Sequence, residues 1–185
     1  MAKETSKKYK QEKFLNVPNS LTLLRLLLTF IIIYMLFTGI SRVWVVAIFI
    51  IAAMSDYFDG IFARKLKQTT RIGARMDQAV DRVFTISIII VLLFLALNSP
   101  DKIEQLWLLF LVSSREIFGL PGFLISIIRG VDTYRVKFIG KITMWVESIA
   151  LGAIILEASF VWYLAVPAFV IGAIAGLDYT LDSVK

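Results

Sequence analysis

The chain has 185 residues, of which 58% are hydrophobic, and it carries a formal net charge of +6. That hydrophobic share is above the usual range of soluble domains and indicates one membrane domain. Because cysteine and histidine are both absent, disulfides, thiol chemistry, the usual zinc sites and imidazole general bases are excluded. Any chemistry must therefore depend on carboxylates and on Lys, Tyr, Ser and Thr side chains.

Six apolar segments alternate with short polar segments along the chain. Each is long enough to cross a bilayer as a helix of roughly 20 residues. We therefore predict an all-α integral membrane bundle of six transmembrane helices, at 20–38, 43–64, 73–97, 104–128, 139–157 and 160–180. The basic segment 1–18 is predicted to lie beside the membrane, as an interfacial helix or a disordered tail, before an uncleaved first span. Residues 19–185 form the membrane domain.

The basic residues cluster before the first span and around the second-to-third and fourth-to-fifth connections. By the positive-inside rule, this alternation predicts a multi-pass protein of the cell membrane with both termini on the cytoplasmic side. The acidic residues near the second connection would face the same side. Anionic lipid headgroups, rather than nucleic acid, are the expected partners of the positive charge.

Small residues recur at every fourth position in the last apolar segment, at Ala168, Gly172 and Gly176. Such a stripe lets two helices approach closely. We expect it to pack within the chain rather than between two copies.

Four aspartates lie at helical spacing around the second connection. Asp56 and Asp59 are three residues apart, and Asp77 and Asp81 are four apart, so each pair shares one helix face. Clustered carboxylates repel one another unless cations intervene, and oxygen ligands without His or Cys favour Mg²⁺, Mn²⁺ or Ca²⁺. Two divalent ions would balance four carboxylates and could clamp the oxygens of a phosphoryl displacement.

These acids could instead form salt bridges with nearby arginines, line a pathway for divalent cations through a transporter, or belong to a membrane scaffold. The candidate partners in salt bridges are Arg64, Arg71, Arg75 and Arg82. However, Gly60 and Ala63 lie on the same helix face as Asp56. They leave that face open to a flat ligand or a phosphate, which favours a ligand site.

The string D-x2-D-G-x2-A-R-x8-G-x3-D-x3-D at residues 56–81 resembles the signature of the CDP-alcohol phosphotransferases at every specified position. The resemblance implies a six-span, homodimeric enzyme that transfers a phosphatidyl-type group from a CDP-lipid to an acceptor hydroxyl and releases CMP. It implies two metal ions, Mg²⁺ or Mn²⁺, bound by Asp56, Asp59, Asp77 and Asp81, with Asp81 also the general base. It places the donor and nucleotide at Asp56, Gly60, Ala63, Arg64 and Gly73.

Charged residues inside other apolar segments are candidates for the acceptor side. They are Arg25, Arg115, Glu116 and Glu147, and Arg115 and Glu116 could instead form a structural ion pair with another span. The basic loop after the fourth span lies where an anionic acceptor would enter. We predict contacts with the acceptor phosphate by Arg115, Lys141, Arg129, Arg135 and Lys137.

Three short segments, 18–22, 114–117 and 140–143, resemble the phosphatidylglycerophosphate synthase branch, whose acceptor is the small phosphorylated polyol glycerol 3-phosphate. Two positions depart from that branch, which often has Pro where Gln78 stands and Gln where Glu147 stands. Inositol phosphate, serine or another lipid are alternative acceptors. The sequence leaves two choices open. The donor lipid is either CDP-diacylglycerol or an archaeal isoprenoid ether, and the metal is either Mg²⁺ or Mn²⁺.

Overall fold

The computed structural model describes residues 17–65, 71–129 and 138–184. Within these ranges it does not describe the side chains at 17, 18, 56–65, 71, 72, 74, 75, 78, 127, 138, 139 and 141. The predicted basic segment lies outside the described residues, apart from the backbone of positions 17 and 18. Arg135 and Lys137 also lie outside the described residues.

All regular secondary structure in the described residues is helical, which confirms the all-α prediction. The helices are α1 (Val17–Phe37), α2 (Arg42–Lys65), α3 (Arg71–Leu97), α4 (Lys102–Val112), α5 (Ser114–Arg129), α6 (Phe138–Ile155) and α7 (Val161–Val184). Five of the six predicted apolar segments correspond to one helix each.

The fourth predicted segment is two helices rather than one. α4 and α5 meet at Ser113 with a bend of 50°, so the prediction of a single helix over 104–128 is wrong. Serine side chains compete for backbone hydrogen bonds and weaken a helix interior. The Ser114 hydroxyl donates to the carbonyl oxygens of Phe169 at 3.2 Å and Ala168 at 3.4 Å on α7. This attachment fixes the start of α5 to α7.

Three helical stretches of the described chain are long and apolar enough to cross a membrane, at 19–37, 79–97 and 161–184, or four if the bent α4–α5 pair is one span. The shorter apolar stretches of α2 and α6 cover 42–55 and 142–155. The protein is therefore an all-helical membrane protein with three to four candidate spans. These criteria do not confirm the predicted count of six.

The chain forms two compact units, residues 1–91 and 92–185, with α3 continuing from one into the other. In the first unit α1 packs against α2. The turn between them is closed by Gly39, whose φ of 69° is in the left-handed region, and by a hydrogen bond from the Ile40 amide to the Met35 carbonyl at 3.2 Å. This pattern is a Schellman cap, which ends α1 and reverses the chain direction.

In the second unit α5 and α7 pack closely through glycine. A Cβ atom at Gly176 would lie 2.8 Å from the Arg115 carbonyl oxygen and 2.9 Å from the Gly119 nitrogen. A Cβ atom at Gly172 would overlap the Ser114 hydroxyl. The prediction that the small-residue stripe packs within the chain is confirmed.

We expect Gly176→Ala to destabilise the protein by about 1–3 kcal/mol, because the added methyl group meets backbone atoms of α5 that cannot move aside. Thermal or denaturant unfolding in detergent measures this change. Val170→Ile, which adds one carbon at a half-exposed position of the same helix, is the matched control. Equal stability of the two variants would contradict the close α5–α7 packing.

Candidate active site

The aspartate signature lies on the second half of α2 and the first half of α3. Positions 56, 59, 60, 63 and 64 are in the helical backbone of α2, and their side chains are outside the described part of the structure. The remaining signature positions, Gly73, Asp77 and Asp81, lie on α3. Only residues 66–70 separate the two helices in sequence.

The rings of Phe49 on α2 and Phe84 on α3 stack with their centroids 5.4 Å apart. Two helices continuing in one direction would separate these rings by about 50 Å, at about 1.5 Å per residue. The contact therefore requires the chain to turn back between α2 and α3, and we call this pair the α2–α3 hairpin. Phe49 and Phe84 are both buried, so the stack is an internal anchor of this hairpin.

The stack gives a common reference point on the two helices. Position 56 comes seven residues after Phe49, and Asp77 comes seven residues before Phe84. Seven residues make about two helical turns, or about 10 Å along the axis, and return to nearly the same helix face. Backbone positions 56 and 77, one from each aspartate pair, therefore each lie about two turns from the stack.

On α3 the signature residues lie along one face. Gly73, Asp77 and Asp81 follow one another at intervals of four residues, which places them on adjacent turns. Gly73 is buried, whereas Asp77 and Asp81 are half-buried. The two carboxylates are thus near the protein interior but still accessible to a polar ligand.

Arg25 of α1 lies beside the second aspartate pair. Its guanidinium Nη1 donates to Asp77 Oδ1 at 3.5 Å, and the Arg25 side chain is only 1% exposed. The sequence alone made Arg25 a candidate for the acceptor side, because spacing along one chain does not show which helix an arginine faces. The available signal was the polar row of Asn19, Thr22 and Arg25 on an otherwise apolar helix.

Asp77 and Asp81 fit a divalent metal by their chemistry, because carboxylate oxygens on one helix face are the ligands that Mg²⁺ and Mn²⁺ prefer. Among the described side chains no three potential metal ligands come together. Asp56 and Asp59, the other two predicted ligands, are outside that set. The described part of the site therefore provides two of the four predicted carboxylates.

In the second unit Arg115 forms an ion pair with two buried carboxylates. Its Nη1 lies 2.9 Å from Glu147 Oε2 and 3.4 Å from Glu116 Oε1. The exposed fractions of the three side chains are 17% for Arg115, 6% for Glu116 and 3% for Glu147. The contacts correspond to the structural ion pair that the sequence left open as an alternative to acceptor binding. Arg115 is therefore engaged by protein carboxylates.

Arg129 contacts the end of α7. Its Nη1 donates to the carbonyl oxygens of Val184 at 2.7 Å and Ser183 at 3.4 Å. These carbonyls belong to the last turn of α7, where a positive side chain is favourable. The Lys141 side chain, and all of Arg135 and Lys137, lie outside the described part of the structure.

Comparison with known proteins identifies the class to which this fold and signature belong. The CDP-alcohol phosphatidyltransferase family model matches residues 15–175, which is most of the chain. The protein belongs to the CDP-alcohol phosphatidyltransferase family. Members of this family take a CDP-linked lipid donor and an alcohol acceptor in the membrane, and they generally use divalent metal ions.

Individual relatives carry more specific names. The chain is 30% identical to a CDP-diacylglycerol–glycerol-3-phosphate 3-phosphatidyltransferase of Aquifex aeolicus, over 92% of this chain and 97% of the relative. It is 30% identical to a probable phosphatidylglycerophosphate synthase of Mycobacterium tuberculosis, over 98% of this chain and 88% of the relative. It is also 30% identical to a putative cardiolipin synthase of Mycobacterium bovis, over 71% of this chain but only 60% of that relative's length.

We expect Arg115→Leu to destabilise the protein by about 3–5 kcal/mol, because two buried carboxylates lose the guanidinium between them. Glu147→Gln should cost less than about 1 kcal/mol, because its amide oxygen still accepts a hydrogen bond and one carboxylate remains for Arg115. Unfolding in detergent measures both changes. Glu104→Gln, at an exposed acid that accepts from Trp162 Nε1 at 2.9 Å, is the matched control. A larger loss for Glu147→Gln than for Arg115→Leu would contradict this interpretation.

Proposed function

We propose that the protein transfers the phosphatidyl group of CDP-diacylglycerol to glycerol 3-phosphate, giving phosphatidylglycerophosphate and CMP. The observation that carries this proposal is the complete aspartate signature at 56–81, on two helices that the stack of Phe49 on Phe84 joins. The Aquifex aeolicus relative, matched over 97% of its length, supports glycerol 3-phosphate as the acceptor.

In the proposed reaction, Asp56, Asp59, Asp77 and Asp81 would hold two divalent ions, Mg²⁺ or Mn²⁺. When bound, such ions neutralise the charge that develops on the pyrophosphate of the donor. Gly60, Ala63, Arg64 and Gly73 would bind the nucleotide part of the donor. The absence of large side chains at three of these positions leaves room for the nucleotide beside the helix backbone.

The proposed role of Asp81 is that of general base. The acceptor hydroxyl attacks the phosphorus that carries the lipid, and its proton moves to the Asp81 carboxylate. The new bond joins the acceptor oxygen to phosphorus, and the bond from phosphorus to the oxygen of CMP breaks. The half-buried position of Asp81 on α3 suits this role, because the carboxylate can meet a polar acceptor. Most of the rate enhancement would come from positioning and charge stabilisation.

The acceptor residues are proposed from the sequence alone. Arg129, Arg135, Lys137 and Lys141 supply positive charge suited to the acceptor phosphate. Arg115 is also proposed, but its ion pairs with Glu147 and Glu116 make it a weaker candidate than Lys141.

We further propose the arrangement in the membrane that the basic connections favour. It has six spans within residues 19–185, a juxtamembrane segment at 1–18, and both termini and the aspartates on the cytoplasmic side. Labelling of single introduced cysteines tests this orientation, because the chain has no cysteine of its own. We also propose a homodimer, which the mass of the protein in detergent tests.

The proposed reaction is tested by the release of CMP from CDP-diacylglycerol by the purified protein with Mg²⁺ or Mn²⁺. We expect glycerol 3-phosphate to give the fastest release in a panel that includes inositol phosphate, serine and phosphatidylglycerol. The similarity to putative cardiolipin synthases makes a lipid acceptor the second candidate. Release with phosphatidylglycerol alone would favour that candidate. If the protein released no CMP from diacyl or ether-linked donors with any acceptor, that result would contradict the family chemistry.

We expect Asp81→Asn to lower turnover by about 100-fold or more, because the amide cannot accept the proton of the acceptor hydroxyl. Metal-dependent binding of the donor should largely remain, since three carboxylates are retained. Asp56→Asn, which leaves the base but removes a residue predicted to bind both the metal and the donor, is the matched comparison and should weaken donor binding itself. Near-normal turnover by Asp81→Asn would contradict its role as the base.

A further inference from the structure

One face of α1 buries a row of polar side chains within an apolar helix. Asn19, Thr22, Arg25 and Thr29 recur at intervals of three or four residues, and each is at most 3% exposed. The same face continues with Ile32, which is fully buried. Polar groups inside a membrane protein cost free energy unless they meet other polar groups, and they commonly lie at functional sites. This face of α1 therefore points to a polar site in the first unit.

One contact between this row and the aspartate signature joins Arg25 to Asp77. The two residues are 52 positions apart in sequence and lie on different helices. The Arg25 side chain is 1% exposed and the Asp77 side chain is 39% exposed. A carboxylate has two oxygens with several acceptor positions. The Asp77 carboxylate can therefore accept from Arg25 and bind a metal ion at the same time.

We propose that Arg25 is a positioning residue for Asp77, which it holds in the orientation that binds the divalent metal. This inference rests on the proposed function, because it takes Asp77 as a metal ligand. Hydrogen bonds from neighbouring residues commonly orient metal-binding carboxylates, and removing them typically lowers metal affinity by about 10–100-fold. Since Arg25 belongs to α1, the metal site would depend on a third helix in addition to the α2–α3 hairpin.

The charge of Arg25 alone predicts the opposite effect from positioning. A buried positive charge repels a divalent cation nearby, so removing the charge should tighten metal binding if charge were the dominant effect. Loss of orientation should weaken binding. The sign of the change in metal affinity therefore separates these two roles of Arg25.

The test measures Mn²⁺ binding to the purified full-length protein in the presence of CDP, by electron paramagnetic resonance of free Mn²⁺. We expect Arg25→Met to weaken Mn²⁺ binding about 10-fold. Arg25→Lys should recover part of the affinity, because it retains a charged donor. Thr29→Val is the matched control, since the buried Thr29 hydroxyl bonds within α1 itself, to the backbone carbonyl one turn earlier at 2.8 Å, rather than to the aspartate signature. The control should bind Mn²⁺ normally.

A double-mutant cycle with Asp77→Asn shows whether Arg25 acts through Asp77. If it does, Arg25→Met weakens Mn²⁺ binding in the original protein but has little further effect in the Asp77→Asn background. Where Arg25→Met does not fold, Arg25→Lys completes the same cycle. Additive losses of Mn²⁺ affinity in the double mutant would overturn the positioning role alone. Unchanged or tighter Mn²⁺ binding by the Arg25 variants would do the same. Absence of Mn²⁺ binding by the unmodified protein would contradict the proposed function and this role together.

Discussion

The cost of placing charge inside an apolar protein governs the arrangement of this molecule. A buried ion is tolerated when an opposite charge or several polar groups compensate it. In the described structure, buried Arg25 meets Asp77, and Arg115 meets Glu147 and Glu116. The contacts of Arg25 with Asp77 and of Arg115 with Glu147 each join two helices. Arg115 and Glu116 are adjacent residues of one helix. Charge compensation therefore selects which helix faces meet inside each unit.

The α2–α3 hairpin brings the two halves of the linear signature onto helices that contact each other. The stack of Phe49 on Phe84 is an apolar contact with no chemistry of its own, yet it joins the two helices that carry the four aspartates. Positions 56 and 77 each lie about two helical turns from the stacked rings. The proposed two-metal site would therefore depend on packing two turns away from these acids.

Close helix approach has a comparable role in the second unit. Gly176 allows α7 to contact the backbone of α5 at Arg115 and Gly119, and the Ser114 hydroxyl bonds to α7 near the break between α4 and α5. Together these contacts place Arg115 at the start of α5, where it meets Glu147 of α6. A small-residue stripe and a helix break thus support one buried ion cluster.

The sequence by itself determined the all-α membrane class, the family, and the positions of five of the helices, because apolar length and the spacing of an eight-position signature are local properties of the chain. It also predicted the intrachain packing of Gly172 and Gly176. It did not predict the break at Ser113, beside which the Ser114 hydroxyl bonds to α7. It could not assign Arg25 to Asp77 or Arg115 to Glu147. Those pairings were decided by tertiary structure, because only helix packing determines which buried charges come within reach of one another.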